Sequence, residues 1–438
     1  MTQTIQFRKS REMITYEALN AVITGNAFLP SISLVPLLQH RGSPANPLVA
    51  PGEQVREGQL IARGSSSDSA HIHSPIPGII QKFKTVPQPD GSMGVVAVIR
   101  LSGAFDILGK KQEQNNWRYS SEREITGILE DKGVICTFEH PDPLVPLIRA
   151  AKKKGRPVLV VRLFDLDPTC QTDSMLAEQY FSIILEGAAI IARALDASAV
   201  LFVYSGKEKN QFTISADISS ELFHKRKILF RRVEARYPSG NTGCFNEIYG
   251  AAFPDGKTGS TLFIDPVTAI SVWEAVVQNK PILYRYISVS GHALKKPAFL
   301  KVRIGTPIGD VIEECGGFKA DPARIIVNGL LTGTSVYDLD TPVTKYTKSL
   351  HIMDNESCPS YSVNNCIHCG RCVQVCPVSI DPYKTVANIR KGIFSPKTIS
   401  DIRTCQNCGC CVIVCPSRIP MHHIISEAES RMQKGEYK

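Results

Sequence analysis

Ten of the chain's 14 cysteines fall between Cys358 and Cys415, and eight of these form two runs of one spacing. The first run is Cys366-Ile-His-Cys369-Gly-Arg-Cys372-Val-Gln-Val-Cys376-Pro377. The second is Cys405-Gln-Asn-Cys408-Gly-Cys-Cys411-Val-Ile-Val-Cys415-Pro416. Both read C-x2-C-x2-C-x3-C-P, the spacing of bacterial two-cluster ferredoxins. Three thiolates on one tight loop hold three irons of a cubane, and the fourth ligand comes from elsewhere. In this arrangement the last cysteine of each run crosses to the other cluster. The expectation is one [4Fe-4S] cluster on Cys366, Cys369, Cys372 and Cys415, and a second on Cys405, Cys408, Cys411 and Cys376. Pro377 and Pro416 stop each loop from continuing as helix, while Gly370 and Gly409 keep bulk away from the sulfides. Structural zinc is the competing reading. Zinc pairs two knuckles of two cysteines and has no use for a third cysteine per unit. Cys358 and Cys410 fall outside the ligand spacing and read as spare thiols. Two adjacent cubanes move single electrons and accept no hydride. The chain therefore either carries a flavin that splits electron pairs or receives its electrons singly.

The rest of the sequence must position this tail. The chain has 438 residues, 43% apolar and 21% charged, an ordinary globular composition for about three domains. That excludes a disordered chain, a collagen-like chain and a small disulfide scaffold. Lys and Arg exceed Asp and Glu by 50 − 41 = 9, which favours acidic partners. No basic stripe interleaved with aromatics points to nucleic acid. Met1 to Arg11 is polar and no signal peptide is expected. The most apolar window, Ile183 to Val203, contains Glu186, Arg193 and Asp196, so it reads as a helix and a strand rather than a membrane span. Cysteines crowded at one end of such a chain indicate metal binding in a reducing compartment, with the protein soluble or peripheral.

Residues 1–35 read as an extended arm. Residues 36–103 repeat apolar pairs between turns, with Gly52 and Gly58 in the turns, and read as a small β module. Residues 118–280 alternate strand and helix and predict an α/β domain with a parallel sheet. Strands are expected at 133–137, 156–163, 197–204, 228–233 and 261–264. Helices are expected from Asp142-Pro143 to Lys153, from Ser174 to Leu195 and near 270–277. Residues 281–350 are β-rich with a short helix at 307–315, and residues 358–438 hold the cysteine runs and a terminal helix from about Met421.

With these pieces in this order, the chain resembles the C subunit of the Rnf ion-translocating electron-transport complex, the RnfC family. The resemblance is carried by Pro36-Leu-Leu-Gln-His-Arg-Gly-Ser-Pro44 with the Gly52 and Gly58 turns, by Val302-Arg-Ile-Gly305-Thr-Pro307 and Cys315-Gly-Gly317, by Thr341-Pro-Val-Thr-Lys345, and by both cysteine runs. It covers roughly residues 28–425. It implies a multidomain α/β plus β fold: a barrel-sandwich N-terminal module, an α/β domain related to the flavoprotein subunit of complex I, a soluble-ligand-binding β-grasp (SLBB) module, and a ferredoxin-like α domain carrying two [4Fe-4S] clusters. It further implies FMN and NADH in the α/β domain, membrane and peripheral subunits as partners, ferredoxin or NADH as the redox partner, and a peripheral place on the cytoplasmic face of the inner (plasma) membrane. The barrel-sandwich fold also serves lipoyl and biotinyl carriers, but Ile61 to Pro75 contains no Lys to modify, so a docking or structural element is expected.

The chain departs from the family in the α/β domain. Relatives carry a glycine-rich loop of the type GLGGAGFP after the first strand, where phosphates approach the backbone. Here the matching stretch is Val134-Ile-Cys-Thr-Phe-Glu-His-Pro-Asp-Pro143, with no glycine between Gly133 and Gly155. A second family motif, NGAECEP, reads Arg162-Leu-Phe-Asp-Leu-Asp-Pro168, and a family Asn before Thr268 is replaced within Asp265-Pro266-Val267. Two versions follow. In one, NADH reduces FMN, which feeds the clusters. In the other, the flavin site is lost, the domain is a scaffold, and single electrons enter from ferredoxin or another subunit. The alternative from another class is a soluble flavin/Fe–S reductase such as a cobalamin reductase. His71, His73 and His140 read as solvated loop histidines. Lys152–Lys154, His224–Lys227 and Arg231-Arg232 read as solvated basic faces.

Overall fold

The computed structural model describes residues 4–5, 11–12, 25–110, 114–155, 157–205, 212, 221–224, 226–234, 236–243, 245, 260–358 and 361–433. The first module is a sandwich of two small antiparallel sheets. One has the order Ile32–Pro36, Met93–Leu101, Gly78–Pro87, Gln54–Val55; the other joins Asn46–Pro47, Leu60–Arg63 and Ile72–His73. Val35, Val55, Ile61, Ile72, Ile76, Ile80, Ala97 and Ile99 fill the space between them. Gly52 (φ +93°) and Gly58 (φ +80°) make turns in backbone regions that a Cβ disfavours.

The middle domain is a five-stranded parallel sheet ordered Thr4–Ile5, Lys227–Val233, Ala199–Ser205, Pro157–Arg162, Ser260–Ile264. Its central strands are near-continuous apolar runs because helices cover both faces. Val158 to Val161 and Val200 to Val203 are fully buried. The expected helix from Asp142 begins at Leu144 instead, because Asp142–Pro143 pairs as a short strand with Ile135–Cys136. The helix expected over 174–195 is two helices, Thr172–Gln179 and Phe181–Leu195, bent by 98° at Tyr180. The bend lays the longer one against Pro266–Val277, where a Cβ on Gly187 would come within 2.1 Å of the Ala269 carbonyl oxygen.

The third module is a six-stranded sheet, Thr334–Val336, Pro322–Val327, Ser349–Asp354, Tyr284–Ser290, Ala298–Arg303 and Gly25–Asn26. The helix Ile308–Glu314 closes its core with Ile308, Val311 and Ile312. The expected arm is thus woven in: three short pieces of it pair with three different sheets. The C-terminal domain packs Pro382–Arg390, Pro396–Thr404 and Met421–Gln433 around Val386, Ile402, Ile419, Met421 and Ile425.

Candidate functional site

The two cysteine runs adopt one backbone twice. His368, Gly370 and Ser379 follow Cys366 with positive φ of 56°, 71° and 57°. Asn407, Gly409 and Arg418 repeat this at the same spacing after Cys405, with 48°, 70° and 54°. Each glycine precedes a one-turn helix, Arg371–Val375 or Cys410–Ile413, that carries the third cysteine. The left-handed residues curl each loop so that its thiols face inward. The Cys366 sulfur accepts a hydrogen bond from the His368 amide at 3.3 Å.

The runs also exchange their last cysteines. Cys366, Cys369, Cys372 and Cys415 line one cavity of about 170 Å³. Cys376, Cys405, Cys408 and Cys411 line another of about 20 Å³, with Cys410 also at its wall. Ile419, Met421, Ile425 and the Tyr383 ring supply the apolar walls. Each cavity is ringed by cysteine thiols, the donors that iron–sulfur clusters take. That donor set fits two cubanes. Burial pushes the Cys405 and Cys411 thiols up to about 12, so their ionisation depends on metal charge. Cys369 is exposed and Cys376 buried. The first cavity therefore faces outward beside Ile367, which is 67% exposed.

The second cavity faces the middle domain. The Tyr237 hydroxyl donates to the Cys408 carbonyl oxygen at 2.6 Å, and the Gly243 amide donates to Gln406 Oε1 at 3.2 Å. Of the two cysteines outside the spacing, Cys410 packs under Tyr237 with Val375 and Val414. Cys358 is half-buried after the strand Ser349–Asp354.

The other chemistry expected of the sequence lies past the ends of the parallel strands. Arg162 ends one strand and Asp265 follows its neighbour. Arg162 is fully buried. Its Nε donates to the Phe164 carbonyl at 2.9 Å, Nη1 to Gly240 at 2.6 Å, and Nη2 to Phe138 at 2.8 Å and Asp173 at 3.2 Å. Lys348, from the third module, reaches Asp173 at 2.8 Å and Asp265 at 2.5 Å. Burial alone would raise Asp265, but Lys348 and then Arg162 hold its carboxyl well below the usual range. Asp265 also caps the helix Pro266–Val277 through the Thr268 amide at 2.8 Å. Thr137 donates its hydroxyl to Asp265 at 2.8 Å and its amide to Thr268 at 2.9 Å. The Phe138 ring lies against Phe245 and Phe263.

The acidic residues of the 162–168 motif serve internal contacts. Asp165 accepts from the Asp173 and Ser174 amides, and Asp167 from the Leu331 and Thr332 amides. The residues that sequence reasoning missed here are Lys348, Asp173 and Tyr237. The visible hint was an arginine at the end of an otherwise apolar strand. The loop histidines do not gather into a site: His71 accepts from the Gly64 amide, His73 is buried and His140 exposed. Lys152 pairs with Glu122. Lys225 of the basic stretch lies outside the described residues, as does Cys244.

Residues 18–103 match the RnfC barrel sandwich hybrid domain. Residues 286–335 match the SLBB domain and 365–419 the 4Fe-4S dicluster domain. The chain is 26% identical over 358 residues to the C subunit of the proton-translocating ferredoxin:NAD(+) oxidoreductase complex of Clostridium ljungdahlii, covering 81% of this chain and 78% of that one. It is 28% identical over 370 residues to the C subunit of the ion-translocating oxidoreductase complex of Rhodobacter capsulatus, covering 83% and 71%. The chain belongs to the RnfC family. An RnfC-family chain with this dicluster domain carries two [4Fe-4S] clusters. The RnfC middle domain matches the Nuo51 FMN-binding domain over residues 145–280; that match starts beyond the stretch where the family's glycine loop is expected. In fold, this RnfC-family chain is similar to a chain of an NAD+-reducing [NiFe]-hydrogenase, with a TM-score of 0.50 and 13% identity over 72% of this chain and 67% of that one.

Proposed function

We propose that the chain is the peripheral iron–sulfur subunit of a membrane-bound Rnf-type complex that couples electron transfer at the NADH/ferredoxin level to ion translocation. In this reading Cys366, Cys369, Cys372 and Cys415 hold one [4Fe-4S] cluster, and Cys405, Cys408, Cys411 and Cys376 hold the other. The observation that carries it is the crossed arrangement: Cys415 of the second run joins Cys366, Cys369 and Cys372 at one cavity, and Cys376 of the first run joins Cys405, Cys408 and Cys411, with Cys410 beside them, at the other. Such clusters supply one-electron exchange at potentials set by ligands, hydrogen bonds and solvent exposure. The protein's part is positional. The left-handed residues fix the loops, the apolar walls line both cavities, and the Tyr237 and Gln406 contacts hold the inner ring against the middle domain.

The assembly reading is supported by the relatives, whose names place them in ion-translocating complexes. Among the described residues no single helix is long and apolar enough to cross a membrane, and the bent pair 172–195 is largely core. Attachment at the cytoplasmic face runs through partner subunits. The test is gentle solubilisation of membranes from the native host, with capture of the tagged full-length chain. Integral subunits should copurify, and Cys376→Ser should abolish electron flow through the assembly without releasing the chain. Recovery of the chain alone from the soluble fraction, with corrinoid-reducing activity, would replace this reading by the soluble reductase.

A further inference from the structure

In an open parallel sheet, ligands bind past the carboxyl ends of the strands where the strand order reverses. Here that point lies between Pro157–Arg162 and Ser260–Ile264. From Pro157–Arg162 the chain steps outward to Ala199–Ser205 and Lys227–Val233, then returns on the other side as Ser260–Ile264. We propose that this crevice is filled by the protein itself: Asp265 takes the place of a bound anion, Arg162 and Phe138 fill the space beside it, and the middle domain binds neither flavin nor dinucleotide. The domain is then a scaffold, and electrons enter and leave the chain one at a time through the cysteine sites. The closure stands on the crevice geometry; its one-electron consequence rests on the iron–sulfur reading above.

Three observations converge on the crevice. The first is the helix terminus. The N-terminus of Pro266–Val277 opens at the switch point, where free amides and the helix dipole attract phosphate. Its Thr268 amide is already given to Asp265 Oδ1, and the Thr268 hydroxyl accepts from the Thr137 amide. An incoming phosphate would face a fixed carboxylate.

The second is charge. Among the described residues, the cations paired with these carboxylates are Arg162 and Lys348, and both are engaged. Lys348 bridges Asp173 and Asp265, while Arg162 pairs with Asp173 and serves three backbone carbonyls. Two cations face Asp173 and Asp265, and the buried Asp165 carboxyl, which burial and Asp173 hold above its ordinary range, lies beside them, so the set carries no spare positive charge. A phosphate would have to take a cation from one of them.

The third is space. A flavin needs a flat slot and close backbone approach. The Arg162 guanidinium lies 4.2 Å from the Phe138 ring centroid, and Phe138 lies 5.4 Å from both Phe245 and Phe263. Gly133, the one glycine at the start of this stretch, is spent on packing. A Cβ there would sit 2.1 Å from the His71 carbonyl oxygen, in the barrel-sandwich module. No backbone between 134 and 143 is bare of side chains.

The balance of electrons follows. NADH oxidation delivers a hydride, two electrons with a proton, whereas a cubane takes one electron. Without a flavin the chain has no group that splits the pair, so its donor and acceptor are one-electron carrier proteins.

The experiment uses the full chain, purified anaerobically with its clusters. Acid-released flavin is measured against iron and protein; FMN and then NADH are titrated into the intact protein, following flavin fluorescence and cluster absorbance. The expected result is flavin far below one per chain, no saturable quenching of added FMN, no bleaching by NADH, and full bleaching by reduced viologen. Flavin near one per chain, saturable FMN binding, or bleaching by NADH would overturn the proposal. Iron near zero would overturn the iron–sulfur reading instead, and the flavin results would still decide the closure.

Discussion

The Lys348 ammonium lies 2.5 Å from Asp265 and 2.8 Å from Asp173, so one side chain of the β-grasp module bridges the two carboxylates past the parallel sheet's end. The contact joins two domains and completes the buried ion set with Arg162. Removing one partner of such a set leaves an uncompensated buried charge, which costs more than the pair contributes.

Lys348→Met is therefore expected to destabilise the chain by about 3 kcal/mol. Lys348→Met with Asp265→Asn should recover part of that loss, because the second change removes the stranded charge. Chemical denaturation of the apo forms measures both. Equal loss in the single and double variants would contradict the coupling.

The crossed rings make a sharper prediction. Cys415→Ser and Cys366→Ser should lose the same cluster, and Cys376→Ser and Cys405→Ser the other. Each variant should keep about four of about eight irons. Electron paramagnetic resonance of the reduced variants distinguishes the two survivors. If Cys415→Ser matched Cys405→Ser, each run would hold its own cluster. Cys410→Ser should retain both.

Gly370 has a φ of +71°, and a Cβ there would meet nothing within 4 Å. Backbone strain opposes substitution, so Gly370→Ala should cost about 1 kcal/mol and speed iron loss to a chelator. Gly370→Asn, which tolerates the left-handed region, should recover most of it. Equal chelation rates for Ala and Asn would point to a steric cause.

How much of this was readable varies with the distance over which residues act. The cysteine rings were legible because each loop's ligands sit within one short repeated spacing. Arg162 and Asp265 stood out only as departures from a pattern. Lys348 carried no local signal, since its carboxylate partners lie 175 and 83 residues away. The bend at Tyr180 was invisible because no Gly or Pro interrupts the stretch from Ser174 to Glu186. The Tyr180 ring packs on Tyr286 from the β-grasp module, a contact with no trace in local periodicity. Asp142-Pro143 looks like a helix start, yet pairing with Ile135–Cys136 takes precedence.

His351 gives a pH test. It is buried in the strand Ser349–Asp354, with Nδ1 3.0 Å from the Ser290 hydroxyl. Burial lowers it to about 4 from an ordinary 6.5. The folded value lies below the unfolded one, so its contribution is present above pH 6.5 and is lost as pH falls toward 4, about 3 kcal/mol in all. His351→Gln should flatten the stability profile across that window, read by denaturation at each pH. An unchanged slope would assign the loss to other groups.

The most direct test of the central claim is metal analysis of the anaerobically purified full chain. Two crossed cubanes predict about eight irons and eight acid-labile sulfides per chain, with both clusters reducible in single-electron steps. About two zinc ions per chain with no labile sulfide would contradict it.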